Sequence, residues 1–387
     1  MDVPRDLPRV LLVGAHGHGR THLRNLRRRR VRPVRLVGVC DLRPLDGELR
    51  ELAGPVPASD SLPELLASTE PDVTIVCTPI HTHVELAATA MRAGSHVLLE
   101  KPPAPTLAEY ERLLDEVRAT GRACQIGFQD LGSHALSAAG RLLAEGAVGD
   151  LRGIGVAGVW VRDASYYARA QWAGRRRLDG APVVDGALTN PFAHAVAAAL
   201  RIDGSEGAGD LVGIETDLYH ARPIEADDTS SIRLTTSRGT TITAAVTLCG
   251  ASQRHPYLRI HGTRGAITLW YKRDELRLET PERVETLPYG RTDLLDNLVD
   301  HLREPRTPLL VPPERTRAFM DVVEAIRTAP EVTPIPGRFQ HISGDGPGER
   351  RIVDGVGEAI TTSAEALRLF CELGLPWARA EPTVMRL

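Results

Sequence analysis

Residues 8 to 13, Pro-Arg-Val-Leu-Leu-Val, form an apolar run that ends in Gly14-Ala-His-Gly-His-Gly19 and passes directly into the helical-looking stretch Arg20-Thr-His-Leu-Arg-Asn-Leu. A strand, a glycine turn and a helix in immediate succession confine the start of the chain to a β-to-α unit. Further apolar runs at 34–40 and 72–77 stop at Asp41 and at Thr78-Pro79, and a fourth at 96–99 stops at Glu100-Lys101-Pro102. A helix fits 84–93 and is closed by Gly94 as its C-cap. Strands alternating with helices at this spacing predict βαβ units and a parallel sheet buried on both faces.

After Gly127 the texture changes. A helix fits 135–145, and from Leu151 onward come alternating segments at 154–161, 211–218, 231–235, 240–248, 258–261 and 266–271. They are separated by hairpin-like turns such as Ser237-Arg238-Gly239 and Gly262-Thr-Arg-Gly265. Helices return at 293–302 and 313–327, and the Gly/Pro-rich stretch 334–350 reads as a long loop. The expected fold class is α/β at residues 1–127, followed at 128–387 by an α+β domain with a large, mostly antiparallel open sheet.

Composition narrows the functional classes. Forty-seven basic against fifty acidic residues, 42% hydrophobic and 25% charged exclude a strongly basic nucleic-acid binder and a disordered chain. No run of 18 apolar residues spans a bilayer, and Asp2, Arg5 and Asp6 interrupt any signal-like stretch. Five scattered cysteines, an odd number without a C-x-x-C pair, fit a reducing cytoplasm. Neither nucleic acid nor a membrane is an expected partner. Among the basic residues only Lys101 and Lys272 are lysines. Against such drift toward arginine, a retained lysine is a candidate for chemistry that needs an adjustable pKa.

The glycine turn is where a dinucleotide pyrophosphate binds when glycines let the backbone approach it and a helix N-terminus faces it. The spacing Gly14-x-His16-Gly17-x-Gly19 puts His16 in the place of the second glycine of G-x-G-x-x-G. Asp41 lies 22 residues beyond Gly19 at the end of the second strand, where an acid accepts ribose hydroxyls and opposes a 2′-phosphate. NAD is therefore the expected cofactor, with Arg43 keeping NADP open. Residues 1–127 read as a Rossmann dinucleotide-binding domain.

Cys77-Thr-Pro-Ile-His-Thr-His83, Ala93-Gly-Ser-His-Val-Leu-Leu-Glu-Lys-Pro102 and Gly146-Ala-Val-Gly149 closely resemble the Gfo/Idh/MocA oxidoreductases, the group of glucose–fructose oxidoreductase and inositol dehydrogenase. His22, Asp41, Gly262-Thr-Arg-Gly265 and the surroundings of Asn297 fit the same pattern, and the resemblance covers about residues 8 to 330. It implies cofactor contacts from Gly14, His16, Gly17, His18 and Gly19, with Asp41 and Arg43. Thr78, Pro79, His83, Glu100 and Lys101 complete that set. Lys101 resembles the family's active-site lysine, whereas Lys272, in a polar Tyr-Lys-Arg-Asp stretch, reads as a solvated surface residue.

Family members carry an Asp and a His four residues apart at a helix start; this chain has Asn190 and His194. An amide orients the ring without supplying charge. Asn190-Pro191 also reads as an N-cap and N1 pair, with His194 on the face opposite Phe192, Val196 and Ala199 and pointing toward a cleft or solvent. Asp185 supplies the missing charge if its loop folds back. The catalytic candidates are Lys101, His194, Asn190 and Asp185. Tyr167, Arg169, Trp172 and Arg175, beside Tyr166, are either substrate contacts or a packed surface loop or subunit contact, and Lys101, Asn190 and His194 are counted with the substrate contacts. His81 and His83, two apart, make no metal pair, and no metal is expected.

The resemblance implies an NAD(P)-dependent oxidoreductase acting on a secondary alcohol of a sugar, glycoside or cyclitol. His194 would be the base and Lys101 the residue that holds the oxygen; the reverse assignment stays open. So do a redox-neutral glycoside-cleaving enzyme with bound NAD and a non-catalytic dinucleotide sensor. The family's open sheet face implies a homodimer or homotetramer. Residues 331–387 carry no interpretable motif.

Overall fold

The computed structural model describes residues 7–28, 33–330 and 332–386. The segment with Asp2, Arg5 and Asp6 lies outside these, as do Glu331 and Leu387 of the uninterpreted C-terminal stretch. In chain order the elements begin β1 (Arg9–Val13), α1 (Gly19–Arg28), β2 (Arg35–Cys40), α2 (Gly47–Ala53), β3 (Ala58–Ser59), α3 (Leu62–Thr69), β4 (Val73–Val76), α4 (His83–Arg92), β5 (His96–Leu99), α5 (Leu107–Thr120) and β6 (Cys124–Ile126). They continue with α6 (His134–Ala144), β7 (Leu151–Val159), α7 (Ala164–Ala168), β8 (Arg177–Leu178), β9 (Ala181–Pro182), α8 (Ala193–Asp203), β10 (Leu211–His220), β11 (Thr229–Thr236), β12 (Thr241–Thr247), β13 (Tyr257–Gly262), β14 (Ala266–Trp270), β15 (Glu275–Glu279) and β16 (Val284–Pro288). The last are α9 (Leu294–Arg303), α10 (Arg317–Thr328), β17 (Thr333–Pro334), β18 (Gln340–Ser343), β19 (Arg350–Val353), α11 (Val356–Ala366) and β20 (Thr383–Arg386).

The chain forms two compact units, Met1–Phe128 with Asp293–Pro313, and Gln129–Thr292 with Glu314–Leu387. The first holds a six-stranded parallel sheet of order β3-β2-β1-β4-β5-β6. Its strand order reverses beside β1, and in such open sheets ligands bind at the carboxyl ends of the strands near that reversal. Val10, Leu11 and Leu12, Val73 and Ile75, and Val97 to Leu99 are all buried, so the unbroken apolar runs mark strands covered on both faces. α5 is capped by Thr106, whose hydroxyl accepts from the Glu109 amide, and ends at left-handed Gly121.

The division corrects the sequence reading in one place. Residues 293–313, assigned to the second domain at 128–387, belong to the first unit. The Gln125 side chain of β6 donates to the Asn297 side chain and the Leu294 carbonyl, and its oxygen accepts from the Val311 amide. The Ile126 amide donates to the Val311 carbonyl, so this return segment satisfies the polar groups of the last strand.

The second unit is built on a ten-stranded sheet of order β16-β15-β14-β13-β7-β12-β11-β10-β17, with β20 also pairing β10. Most pairs are antiparallel, but β7 with β12 and β10 with β17 run parallel. Alternation sorts the two faces. Ile154, Ile260, Ile267 and Leu278 share one register row and are buried; a Cβ on Gly158 of the same face would meet the Phe192 ring at 2.4 Å. The other face carries Gly153 and Gly155 under α11, where a Cβ on Gly155 would lie 2.0 Å from the Ala364 carbonyl oxygen. Residues from the expected loop at 334–350 instead form the β18–β19 hairpin. Together with α11 they close an apolar cluster of Ala157, Val159, Tyr219, Ala245, Ile360, Phe370 and Trp377. No helix among the described residues is long and apolar enough to cross a membrane.

Candidate active site

In the first unit the glycine turn follows β1. Gly14 has φ +87°, and a Cβ there would meet the Cys77 carbonyl oxygen at 2.3 Å; one on Gly19 would lie 1.8 Å from the Gly14 oxygen. These positions admit only glycine because the turn is threaded between β4 and α1. Gly17, one place later than the usual second glycine, takes φ +64° with open space around it. The backbone approach expected of a pyrophosphate cradle is thus kept although His16 interrupts the motif.

Asp41, at the end of β2, braces this turn. Its Oδ2 accepts from the amides of Ala15 (2.8 Å) and His16 (3.3 Å), and its Oδ1 from the amide of Arg43 (2.9 Å). The His16 ring stands 3.9 Å and the Arg43 guanidinium 4.0 Å from Oδ1. Asp41, Leu42, Arg43 and Ser59 line a cavity of about 230 Å³, and Leu42 is 87% exposed. A concave site with an apolar lip and a carboxylate fits the adenosine end of a dinucleotide.

Lys101 follows β5 and is partly buried. Beside it, Glu100 is buried and its Oε1 meets His22 Nε2 at 2.9 Å, with His18 Nε2 at 3.6 Å. Burial pushes the Glu100 carboxyl up, but the His22 hydrogen bond and the charges of His22, His18 and Lys101 prevail and hold it at about 2. His18, His22 and Glu100 place a ligand atom each within 4.8 Å of one another, a set able to hold a divalent ion. His83 is buried between two carbonyls, Nδ1 at 2.8 Å from Pro102 and Nε2 at 2.8 Å from Thr78. It ties the Thr78-Pro79 turn to the segment after Lys101. Burial lowers the His83 pKa.

The second unit gathers the other candidates differently from the sequence expectation. α8 begins at Ala193 after Phe192 and has no side-chain cap. Asn190, read as the N-cap, instead donates from Nδ2 to Asp185 Oδ1 at 2.6 Å. Asp185 is buried and also accepts from Arg169 Nη2 (3.0 Å) and the Gly174 amide (2.8 Å) at Oδ2. Arg169 stacks over Tyr166 at 3.6 Å and Trp172 at 4.7 Å. Arg175 is exposed, and its carbonyl accepts from the Asp185 amide. The Tyr167 ring lies under the Arg222 guanidinium at 5.2 Å. Arg169, Trp172, Asp185 and Asn190 therefore form one cluster, with Arg175 attached only through its backbone.

His194 is largely buried instead of facing solvent: its side chain is 12% exposed and its Nδ1 lies 3.5 Å from Asp130 Oδ2. Neither Asp130 nor its partner Lys272 was identified as a site residue from sequence. Lys272, read as a solvated lysine, reaches Asp130 Oδ2 at 2.8 Å. An isolated Asp in the apolar stretch Ile126-Gly-Phe-Gln-Asp-Leu131 offers no local signal; the retained lysine was the available clue.

A parallel six-stranded sheet with a glycine cradle is the architecture of a dinucleotide-binding unit, and the mixed-sheet unit carries the largely buried His194. Residues 8–128 match the model described as "Oxidoreductase family, NAD-binding Rossmann fold", and residues 136–268 match the GFO/IDH/MocA C-terminal domain. The chain belongs to the GFO/IDH/MocA family, and its first unit is that family's NAD-binding domain.

Levoglucosan dehydrogenase of Pseudarthrobacter phenanthrenivorans is 27% identical over 235 residues, covering 54% of this chain and 58% of that protein. The NAD-dependent scyllo-inositol 2-dehydrogenase of Bacillus subtilis is 31% identical over 144 residues, 36% of this chain and 41% of that protein. The matches thus span less than two thirds of either relative. The WlbA dehydrogenase of Bordetella pertussis, solved with NADH and UDP-GlcNAcA, shares the fold with a TM-score of 0.69 at 23% identity, covering 85% of this chain and 99% of that one.

Proposed function

We propose that this protein is an NAD-dependent oxidoreductase acting on a secondary alcohol of a sugar, glycoside or cyclitol. The observation that carries the reading is Lys101 at the carboxyl end of β5, next to buried Glu100, in a unit whose glycine turn fits a dinucleotide. NAD supplies the hydride acceptor. His194 would take the hydroxyl proton of the carbinol whose hydride the bound cofactor accepts. Lys101 holds the oxygen and stabilises the negative charge that develops on it. Asn190, Asp185, Arg169 and Trp172 offer hydrogen bonds and stacking suited to a polyhydroxylated ring. The relatives' sugar-like and cyclitol substrates support the same class.

All five cysteines are free, which supports a reducing, cytoplasmic setting. Assembly as a homodimer or homotetramer belongs to the same proposal; α11 narrows the sheet face available for it. The test is a thermal-shift screen with NAD, NADP and a panel of sugars, glycosides and cyclitols, followed by absorbance of the reduced nicotinamide. Stabilisation by NAD and reduction with at least one polyol are expected. Failure to bind NAD would refute the reading.

A further inference from the structure

We propose that Asp130 is the positioning residue that orients His194 and sets its basicity, with Lys272 as its counterweight. The inference rests on the reading of His194 as the base. The carboxylate that family members carry four residues before the histidine is here Asn190, whose amide is turned to Asp185. Asp185 in turn is engaged by Arg169 and the Gly174 amide. The acid that faces the imidazole comes from elsewhere in the unit: Asp130, in the short turn 129–132, is 4% exposed and places Oδ2 3.5 Å from His194 Nδ1.

The same oxygen receives Lys272 Nζ at 2.8 Å, and Oδ1 receives Arg291 Nη1 at 2.7 Å. Arg291 is shared with Asp274, whose Oδ1 it meets at 2.9 Å, and with the Tyr271 carbonyl at 2.8 Å. Lys272 Nζ also lies 5.7 Å from the Trp160 ring centre and 5.6 Å from that of Tyr271. Burial pushes the Asp130 carboxyl up, but His194, Lys272 and Arg291 together hold it below the usual carboxylate range. Asp130 is therefore a fixed anion.

An anion 3.5 Å from Nδ1, close enough to act through its charge although the two atoms make no hydrogen bond, favours the tautomer with the proton on Nδ1 and the lone pair on Nε2. Alone, that anion would favour the imidazolium; Lys272 on the same oxygen offsets part of that pull. Among the described residues, the charged and titratable groups facing the pair include Lys272, Arg291 with Asp274 behind it, and the Tyr271 hydroxyl; Asn190 and Asp185 stand on the loop that enters α8, and Arg169 directly follows α7.

The two neighbours should act on His194 with opposite sign, which a purely structural role would not produce. In cofactor-free protein with ring-labelled histidine, the His194 signal is assigned by its loss in His194→Gln and followed against pH by NMR. Asp130→Asn should move its midpoint down by about one pH unit and Lys272→Met should move it up by a similar amount, the scale of a close charge. The pH limb of kcat/KM should follow the same directions. Unmoved midpoints, or shifts of the same sign, would overturn the inference. Lys272→Met, at an exposed position, tests it alone should Asp130→Asn fail to fold. Retained turnover in His194→Gln would instead overturn the reading of His194 as the base, a result the midpoints do not touch.

Discussion

Asp41 braces the glycine turn, and the proposed cofactor reading gives it a second job that substitution can separate. Its carboxylate accepts three backbone hydrogen bonds, at 2.8, 3.3 and 2.9 Å, from the glycine turn and the start of the following loop. Hydrogen bonds to a charged group contribute about 1.5–3 kcal/mol each, and discounting the longest leaves about 4 kcal/mol of bracing. The same charge should pair with ribose hydroxyls and repel a 2′-phosphate. Asp41→Asn removes the charge but keeps one acceptor oxygen for the turn. It should weaken NAD about tenfold and strengthen NADP about tenfold, on the scale of one hydrogen bond. Asp41→Ala removes both functions, so NAD should weaken by about 100-fold or more while NADP gains little, because the cradle itself is loosened. Isothermal calorimetry with both cofactors on the three proteins distinguishes these outcomes. Native protein that bound NADP tenfold tighter than NAD would refute the assignment, and an Asp41→Ala variant that bound NADP as the native protein binds NAD would refute the bracing role.

Lys101→Arg keeps the charge but loses the compact ammonium, so turnover should fall about 10²-fold or more while calorimetry shows NAD affinity unchanged. Asn190→Asp sets a second carboxylate against Asp185 at hydrogen-bond distance; like charges raise one pKa of the pair, so the loss of stability should be small near pH 4 and grow to about 1–3 kcal/mol by pH 8, as urea unfolding at the two pH values would show. Glu100, held at about 2 against an ordinary 4.5, contributes about 3 kcal/mol that is complete above pH 4.5 and lost as pH falls toward 2. Glu100→Gln should flatten that acid limb of thermal stability. Trp377→Ala should cost about 3–5 kcal/mol, because its ring packs edge-on against Tyr219 and Phe370 at 5.1 and 5.3 Å; unchanged urea midpoints would mean that the C-terminal segment is not part of the core.

What could be read from the sequence was local. The glycine turn, the runs that became β1, β2, β4 and β5, and the hairpins of β11–β12 and β13–β14 each carry their signal within a few residues, as turn chemistry or unbroken apolarity. Asn190-Pro191 misled because the same two residues satisfy a capping pattern. The chain instead spends 187–192 in turns, with the Ala187 amide held by Asp227 Oδ2 at 3.0 Å and the Phe192 amide by the Ala187 carbonyl, which delays α8 to Ala193. Return of 293–313 to the first unit depends on Gln125 meeting Asn297, a pairing across 172 positions that no periodicity reports. The amphipathic pattern around α11 was likewise hidden, because its buried side packs on glycines and alanines of the sheet and needs few large apolar residues of its own.

The two lysines show what kind of signal does cross such distances. Only two of the 47 basic residues in this chain are lysines, so each lysine is a candidate for a place where the larger group fails. At Asp130 the reason is geometric. Oδ1 is occupied by Arg291, while Oδ2 carries Lys272 at 2.8 Å and faces His194 at 3.5 Å. A guanidinium binds a carboxylate best as a fork that takes both oxygens, and a second fork here would compete with Arg291 and crowd the imidazole off Oδ2. An ammonium is a point donor that can share one oxygen with the ring. At Lys101 the neighbour is again a buried carboxylate, Glu100, and the proposed task again needs a compact charge that shares its space with another group. The same physical demand, a small cation beside a buried anion, accounts for both retained lysines, although only one of them lies in a motif.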